Sequence, residues 1–415
     1  MEQIMNLEQN LIKYADLLVR AGINLQKGEG LYMSITTDAI PVARYAVKRA
    51  YELGAKDVVI DVSDDQMNLA RYLYGGEDIF DIYPEYKALH LKNFYDDNYQ
   101  HLIIRAQDPT LLKNVDHSRV ARFGKAAGRV MQETGVQAYR MSGRTRWTIG
   151  AVPCVGWAKT IFTEDSDEEA VQKLWEKIFY AVRVDLDDPV AAWHAHDANL
   201  HKQRDFLNAA NLEKVHYQGP GTDLMVYLAE GHEWVGGSKD STAGIPFFAN
   251  MPTEEVFTTP HSHKVDGILR ATKPLNLNGT LVDGMNFVFK DGAITEFSAD
   301  KGEDVFVKQM NQDENARRLG EIALVQHDSP ISNTGLVFNN TLFDENASSH
   351  FAIGQSYAYA MKDGTEASVK DLVARGANQS LVHTDFMVGA ADVDVTGYSF
   401  DGTKILLLKN GNWVI

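Results

Sequence analysis

Four short segments hold residues whose types and spacing suit chemistry. The first, Asn250-Met251-Pro252-Thr253-Glu254-Glu255-Val256-Phe257, sets two adjacent carboxylates behind a proline in an otherwise apolar stretch. In an extended chain Glu254 and Glu255 point to opposite faces, so only one of them can serve a given cleft. The same residues also fit a helix start, with Thr253 as cap and the acids in the first turn. In the second segment, Arg317 to Val325 (RRLGEIALV), Glu321 opens an apolar strand, either as an edge gatekeeper or as a carboxylate aimed into a cleft. The third, Ser348 to Tyr357 (SSHFAIGQSY), carries His350 and Tyr357. The fourth, Ser380 to Gly389 (SLVHTDFMVG), places His383 and Asp385 two apart in a strand-like run, hence on one face. That face is either plain surface or a seat for a divalent ion, with the carboxylate free to bridge to a second.

Taken together, these segments offer three carboxylates, two imidazoles and a phenol. Oxygen and nitrogen donors without thiolate suit Zn²⁺, Co²⁺ or Mn²⁺, and Mg²⁺ less readily. Three carboxylates offset most of the charge of two divalent ions, and a hydroxide offsets more, so the set is chemically sufficient for a two-metal hydrolytic centre. The donors are scattered and no HExxH occurs, so spacing by itself does not establish one. His261 and His263 follow the first segment and either line a pocket, orient a carboxylate or sit in a polar loop.

The elements that must position these residues change character along the chain. Residues 1–190 alternate helix and strand. Leu11, Tyr14, Ala15, Leu18 and Val19 recur at helical spacing before Gly22, Leu31–Thr36 reads as a strand, Ile40–Leu53 as a helix, and Val58–Ile60 as a strand core. That order is βαβ and predicts a parallel sheet. His101–Arg105 reads as a further strand with a helix over Leu111–Val115, and Ser166 with Glu169 has capping-box spacing for a later helix. Asp188-Pro189 opens another helix. Beyond it, segments shorten and turns multiply, and Asp291-Gly292 between two apolar runs marks a hairpin. The expectation is an α/β protein: a βαβ-type amino-terminal domain over 1–190 and a mixed α+β metal-binding catalytic domain over 191–415. Ten of the 13 histidines fall in the second part, which is where a site belongs.

Composition narrows the classes. The 415 residues carry 40 Lys and Arg against 57 Asp and Glu, a net charge of -17, which argues against nucleic acid or an anionic membrane as partner. One cysteine excludes a disulfide scaffold and a thiolate-rich metal site. Cys154 lies in apolar surroundings and reads as an inert thiol. The start lacks the pattern of a signal peptide, and no apolar run is long enough to span a bilayer, so a cytoplasmic location is expected. Gly28-Glu29-Gly30 lacks a third glycine and precedes a strand, so no dinucleotide site is expected there.

The motifs NMPTEEV at 250–256, RRLGEIALV at 317–325, HFAIGQSY at 350–357 and HTD at 383–385 resemble the thermophilic aminopeptidase family, metallopeptidase family M29, over essentially the whole chain. The resemblance implies a dinuclear site whose ligands are Glu255, Glu321, His350, Tyr357, His383 and Asp385, each of the expected residue type. It implies Co²⁺, Zn²⁺ or Mg²⁺ as cofactors, to which the donor types add Mn²⁺, and a soluble homodimer enclosing a cavity. It also implies removal of amino-terminal residues from short peptides by a hydroxide that two metals activate. Glu254, an unassigned carboxylate beside a ligand, is the candidate for general base and acid. Other dinuclear hydrolases, an amidase or a phosphoesterase, are the alternative, followed by a non-catalytic binding protein.

Overall fold

Four strands of the amino-terminal part, β1 (Gly30–Thr36), β2 (Asp57–Ser63), β3 (Tyr99–Arg105) and β4 (Trp147–Ala151), pair in parallel in the order β2-β1-β3-β4. The computed structural model describes residues 2–277 and 279–415 of the chain. Parallel neighbours need a crossover, and helices supply it. Ile40–Glu52 links β1 to β2, Asp65–Tyr74 and Glu85–Asp96 lie between β2 and β3, and His117–Glu133 precedes β4. The amphipathic stripe at the start forms helix Glu2–Leu17, which loosens into one π turn, Leu18–Gly22, at its end. The capping box of Ser166 and Glu169 opens helix Asp167–Ala181, whose Leu174, Trp175, Ile178 and Phe179 are buried. Leu111–Val115 departs from the helix expected there. It folds as successive i→i+3 turns, and the helix waits for Asp116, whose carboxylate caps the Ser118 N–H at 2.9 Å. Burial pushes the Cys154 thiol up to about 11, so it stays protonated at neutral pH.

Two compact units result: Met1–Ala195 with Ser238–Pro252, and His196–Gly237 with Thr253–Ile415. The second is built on antiparallel sheets. An eight-stranded sheet runs from Ala293–Ser298 through Pro260–Arg270 and Leu212–Gly219 to Asn412–Trp413. Within it the Asp291-Gly292 turn joins Asn286–Lys290 to Ala293–Ser298, both turn residues at positive φ, as a tight hairpin demands. A five-stranded sheet holds, in spatial order, His383–Met387, His350–Gly354, Leu319–Leu324, Val256–Thr258 and Val235–Gly236. Strand alternation gives this sheet two unlike faces. Val256, Ile322, Leu324, Phe351, Ile353 and Phe386 go into the main core, where Tyr217 meets Phe351 at 4.9 Å and Phe287 meets Phe386 at 4.7 Å between ring centroids. The alternate residues of the same strands form the other face. The architecture is thus mixed α/β, with parallel and antiparallel sheets. No helix among the described residues is long and apolar enough to cross a membrane.

Candidate metal centre

Register across the five-stranded sheet lines up the polar face. Asp385 stands opposite Ala352, and Ala352 opposite Glu321. The methyl of Ala352 leaves space above it, so the acids flanking it can converge. His350 pairs with Ala323 and Met387 in the neighbouring row, and His383 pairs with Gly354. Glu255 shares the parity of Phe257 and reaches the same face just before its strand begins.

Glu321 owes its face to a bulge. Leu319 pairs with Ile353 and Glu321 with Ala352, leaving Gly320 as the extra residue. In a regular strand Leu319 and Glu321 would share a face; with the bulge, Leu319 is buried in the core and Glu321 looks out of it. Only glycine fits at 320, because a Cβ there would lie 2.3 Å from the Gly354 carbonyl oxygen and 2.5 Å from that of Gln355.

The result is two clusters sharing one carboxylate. Ligand atoms of Glu255, Glu321 and His350 lie within 4.8 Å of one another, and so do those of Glu321, His383 and Asp385. His350 Nε2 is 3.2 Å from Glu255 Oε2 and 3.6 Å from Glu321 Oε1. His383 Nε2 is 3.5 Å from Glu321 Oε2 and 3.4 Å from Asp385 Oδ1. Both rings are aimed from behind. His350 Nδ1 donates to the Ser348 carbonyl at 3.1 Å, and His383 Nδ1 to that of Gln355 at 2.8 Å. A carbonyl only accepts, so each Nδ1 carries hydrogen and each Nε2 turns toward the acids.

That arrangement calls for cations. A neutral ring would present the Nε2 lone pair to carboxylate oxygens, a repulsive contact unless positive charge sits between them. Without an ion, protons do the work. Burial disfavours charge on His350, yet Glu255 and Glu321 outweigh it and hold the ring proton well above its usual range. His383 is likewise pushed up to about 9, burial opposing and Asp385 prevailing. Burial lifts the Glu321 carboxyl to about 7 against the pull of His350. Asp385 ends below the usual carboxylate range, because His383 and His350 overcome its burial. Buried and half-buried oxygen and imidazole donors, with Glu321 common to both clusters, fit a candidate dinuclear metal site.

The remaining predicted residues fall around this centre. The Tyr357 ring packs on that of His383 at 4.7 Å, and burial, then the charge of Glu321, keeps its hydroxyl protonated. Asn378 holds the turn that delivers it: its side-chain amide donates to the Gly354 carbonyl at 2.7 Å, and the Ser356 N–H donates to its carbonyl at 3.0 Å. Glu254 belongs to neither cluster. The segment around it is extended, not helical. Its N–H donates to Asn346 Oδ1 at 2.7 Å, and its carboxylate lies 3.5 Å from His196 Nε2. His261 and His263 sit on strand Pro260–Arg270 of the other sheet and are in neither cluster.

Two neighbours escaped the sequence reading. Glu345 is a fourth carboxylate in the electrostatic field of the centre; burial, then Asp385 and Glu255, drives its proton affinity well up. Tyr359, held protonated chiefly by burial, packs against Phe257 at 5.9 Å. One of two adjacent acids in a DEN turn carries no motif. The second tyrosine was legible only as a repeat of the first at i+2.

A dinuclear centre of carboxylates and imidazoles is one that metal-dependent hydrolases use. The model of the thermophilic metalloprotease family (M29) matches residues 7–413, and the chain belongs to that family. It is 41% identical to Aminopeptidase 2 of Geobacillus stearothermophilus over 98% of both chains. It is 42% identical to Aminopeptidase T of Thermus aquaticus, over 98% of this chain and 99% of the relative. Among solved structures, wild-type AmpT from Thermus thermophilus superposes with a TM-score of 0.91 at 40% identity, covering 98% of this chain and 99% of that one.

Proposed function

We infer that the chain is a metal-dependent aminopeptidase that removes amino-terminal residues from short peptides. The observation that carries this is the sharing of Glu321 between two acid–imidazole clusters, in a chain of the M29 family whose relatives bear aminopeptidase names. Glu255, Glu321 and His350 would hold one divalent ion, and Glu321, His383 and Asp385 the other, with Tyr357 completing the set beside His383. Zn²⁺, Co²⁺, Mn²⁺ and Mg²⁺ are the candidates, the imidazoles favouring the first three. Ions in such a centre supply positive charge that polarises a peptide carbonyl and acidifies water.

The chain's own groups do the rest. The backbone carbonyls of Ser348 and Gln355 fix both imidazoles, so no reorganisation is needed when charge develops. Burial of the acids keeps bulk water from screening that charge. Glu254 is the proposed carrier of the proton passed to the leaving amine; its pairing with half-buried His196 supports this, since a carboxylate–imidazole pair can take and return a proton. Residues 191–415 are proposed as the catalytic domain, of mixed α+β type, and residues 1–190 as a βαβ-type domain. A cytoplasmic homodimer without nucleic-acid or membrane partners belongs to the same proposal, supported by the acidic balance of the chain.

Metal analysis followed by assay on aminoacyl-anilides and phosphate monoesters tests the reading. Two ions per chain and hydrolysis of the anilides alone are expected. Glu321→Gln is expected to lose metal and at least about 100-fold in kcat/KM, as for groups that act as a unit. Full activity of that variant, or of metal-stripped protein, overturns the reading.

A further inference from the structure

One carboxylate beside the centre has no partner in the scheme above. Glu345 ends the short helix Thr341–Asp344 and opens the turn Glu345–Ala347. Its neighbour Asp344 is engaged by the backbone, accepting from the Phe338 N–H at 2.7 Å and the Asn340 N–H at 2.9 Å. Glu345 has only a long contact from the Asn346 amide, 3.4 Å, and no Lys, Arg or His among the described residues forms an ion pair with it. A carboxyl group placed among acids without a cation of its own keeps its proton or takes the cation that a ligand brings.

The space in front of it indicates what that ligand is. Glu345 and Asp385 line one half-enclosed cavity of about 50 Å³, walled further by Asn276, Asn340 and Met387. Such a volume takes an ammonium head or a few waters. An exopeptidase has to measure the end of its substrate. A free α-amino group has an ordinary pKa near 8, so at neutral pH it arrives as a cation. We propose that Glu345 anchors the α-ammonium of the substrate's first residue in this small polar cavity. A blocked amine loses the charge that the carboxylate would pair with and is rejected on that ground.

The proposal rests on the aminopeptidase reading, and the experiment separates the two. Hydrolysis of an aminoacyl-anilide panel by the metal-loaded wild type tests the reading by itself; no hydrolysis overturns it and the anchor with it. With an active wild type, Glu345→Gln should raise KM about 10- to 100-fold, the range for a hydrogen bond to a charged group, while kcat stays within about threefold. Metal content should be unchanged, and Glu345→Asp should recover part of the loss. A second readout is calorimetric. Wild type should bind the amino alcohol matching its best substrate more tightly than the deaminated alcohol, and Glu345→Gln should bind the two alike. An unchanged KM, a fall in kcat alone, loss of metal, or a preference for the amine that survives the substitution overturns the anchor.

Discussion

Gly320→Ala isolates the bulge that turns Glu321 toward the site. The added Cβ would meet the carbonyl oxygens of Gly354 and Gln355 at 2.3 and 2.5 Å, where ordinary contact begins at 3.4 Å. Each carbonyl must therefore retreat by roughly 1 Å, or the bulge must open. Neither carbonyl is idle: Gly354 accepts from Asn378 at 2.7 Å and Gln355 from His383 Nδ1 at 2.8 Å. One methyl group thus disturbs the shared carboxylate and one imidazole together. Overpacking of this kind costs about 1–3 kcal/mol, which for a unit of this size lowers Tm by about 2–12 °C. The loss of function should be larger, since misplacement by about 1 Å costs on the order of 100-fold. Thermal melting, metal content and kcat/KM on one aminoacyl-anilide read all three. Gly128→Ala is the control, because a Cβ on that exposed helical glycine meets nothing within 4 Å. It should stabilise by a few tenths to about 1 kcal/mol and leave activity alone. A Gly320→Ala protein with full metal and kcat/KM within twofold of wild type refutes the role given to the bulge.

Other consequences can be checked alongside. Ala352→Leu fills the gap between Glu321 and Asp385; it should fold with a loss of about 1–3 kcal/mol yet bind less than half the metal, and full loading would contradict the row geometry. Stability of the metal-stripped protein should fall as pH rises. His383, raised to about 9 from an unfolded value near 6.5, stabilises fully below about 6.5 and ceases to do so through 9, at most about 3 kcal/mol. Glu321, raised to about 7, acts with the same sign through its own lower window. Metal binding, which needs those protons removed, should strengthen over the same range. Denaturant titrations at pH 6.5 and 9, with and without Zn²⁺, would expose an error in either sign.

What could be read in advance was local. Alternation put His383 and Asp385 on one side of a strand and parted Glu254 from Glu255, and both placements hold in the folded chain. Capping residues marked helix Asp167–Ala181, and a turn dipeptide marked the hairpin at 291–292. The side on which Glu321 emerges was not readable, because it depends on a bulge against a strand some 30 residues further on. Nor was the gap at Ala352, which matters only once its two cross-strand neighbours are known. Glu345 sits in a turn that any surface would tolerate, and its company is entirely tertiary. At 111–115 apolar spacing suggested a helix, while the capping side chain lay one residue later.

The spatial order of the five strands has a mechanical side. His383 and Asp385 both ride on the outermost strand, which pairs on one side only, while His350 and Glu321 ride on strands held on both sides. Edge strands open first when a sheet breathes. An opening of that strand withdraws two donors at once from one cluster and none from the other. The two clusters are therefore anchored differently: two donors of one depend on a strand held on a single side, while the strand-borne donors of the other depend on strands held on both.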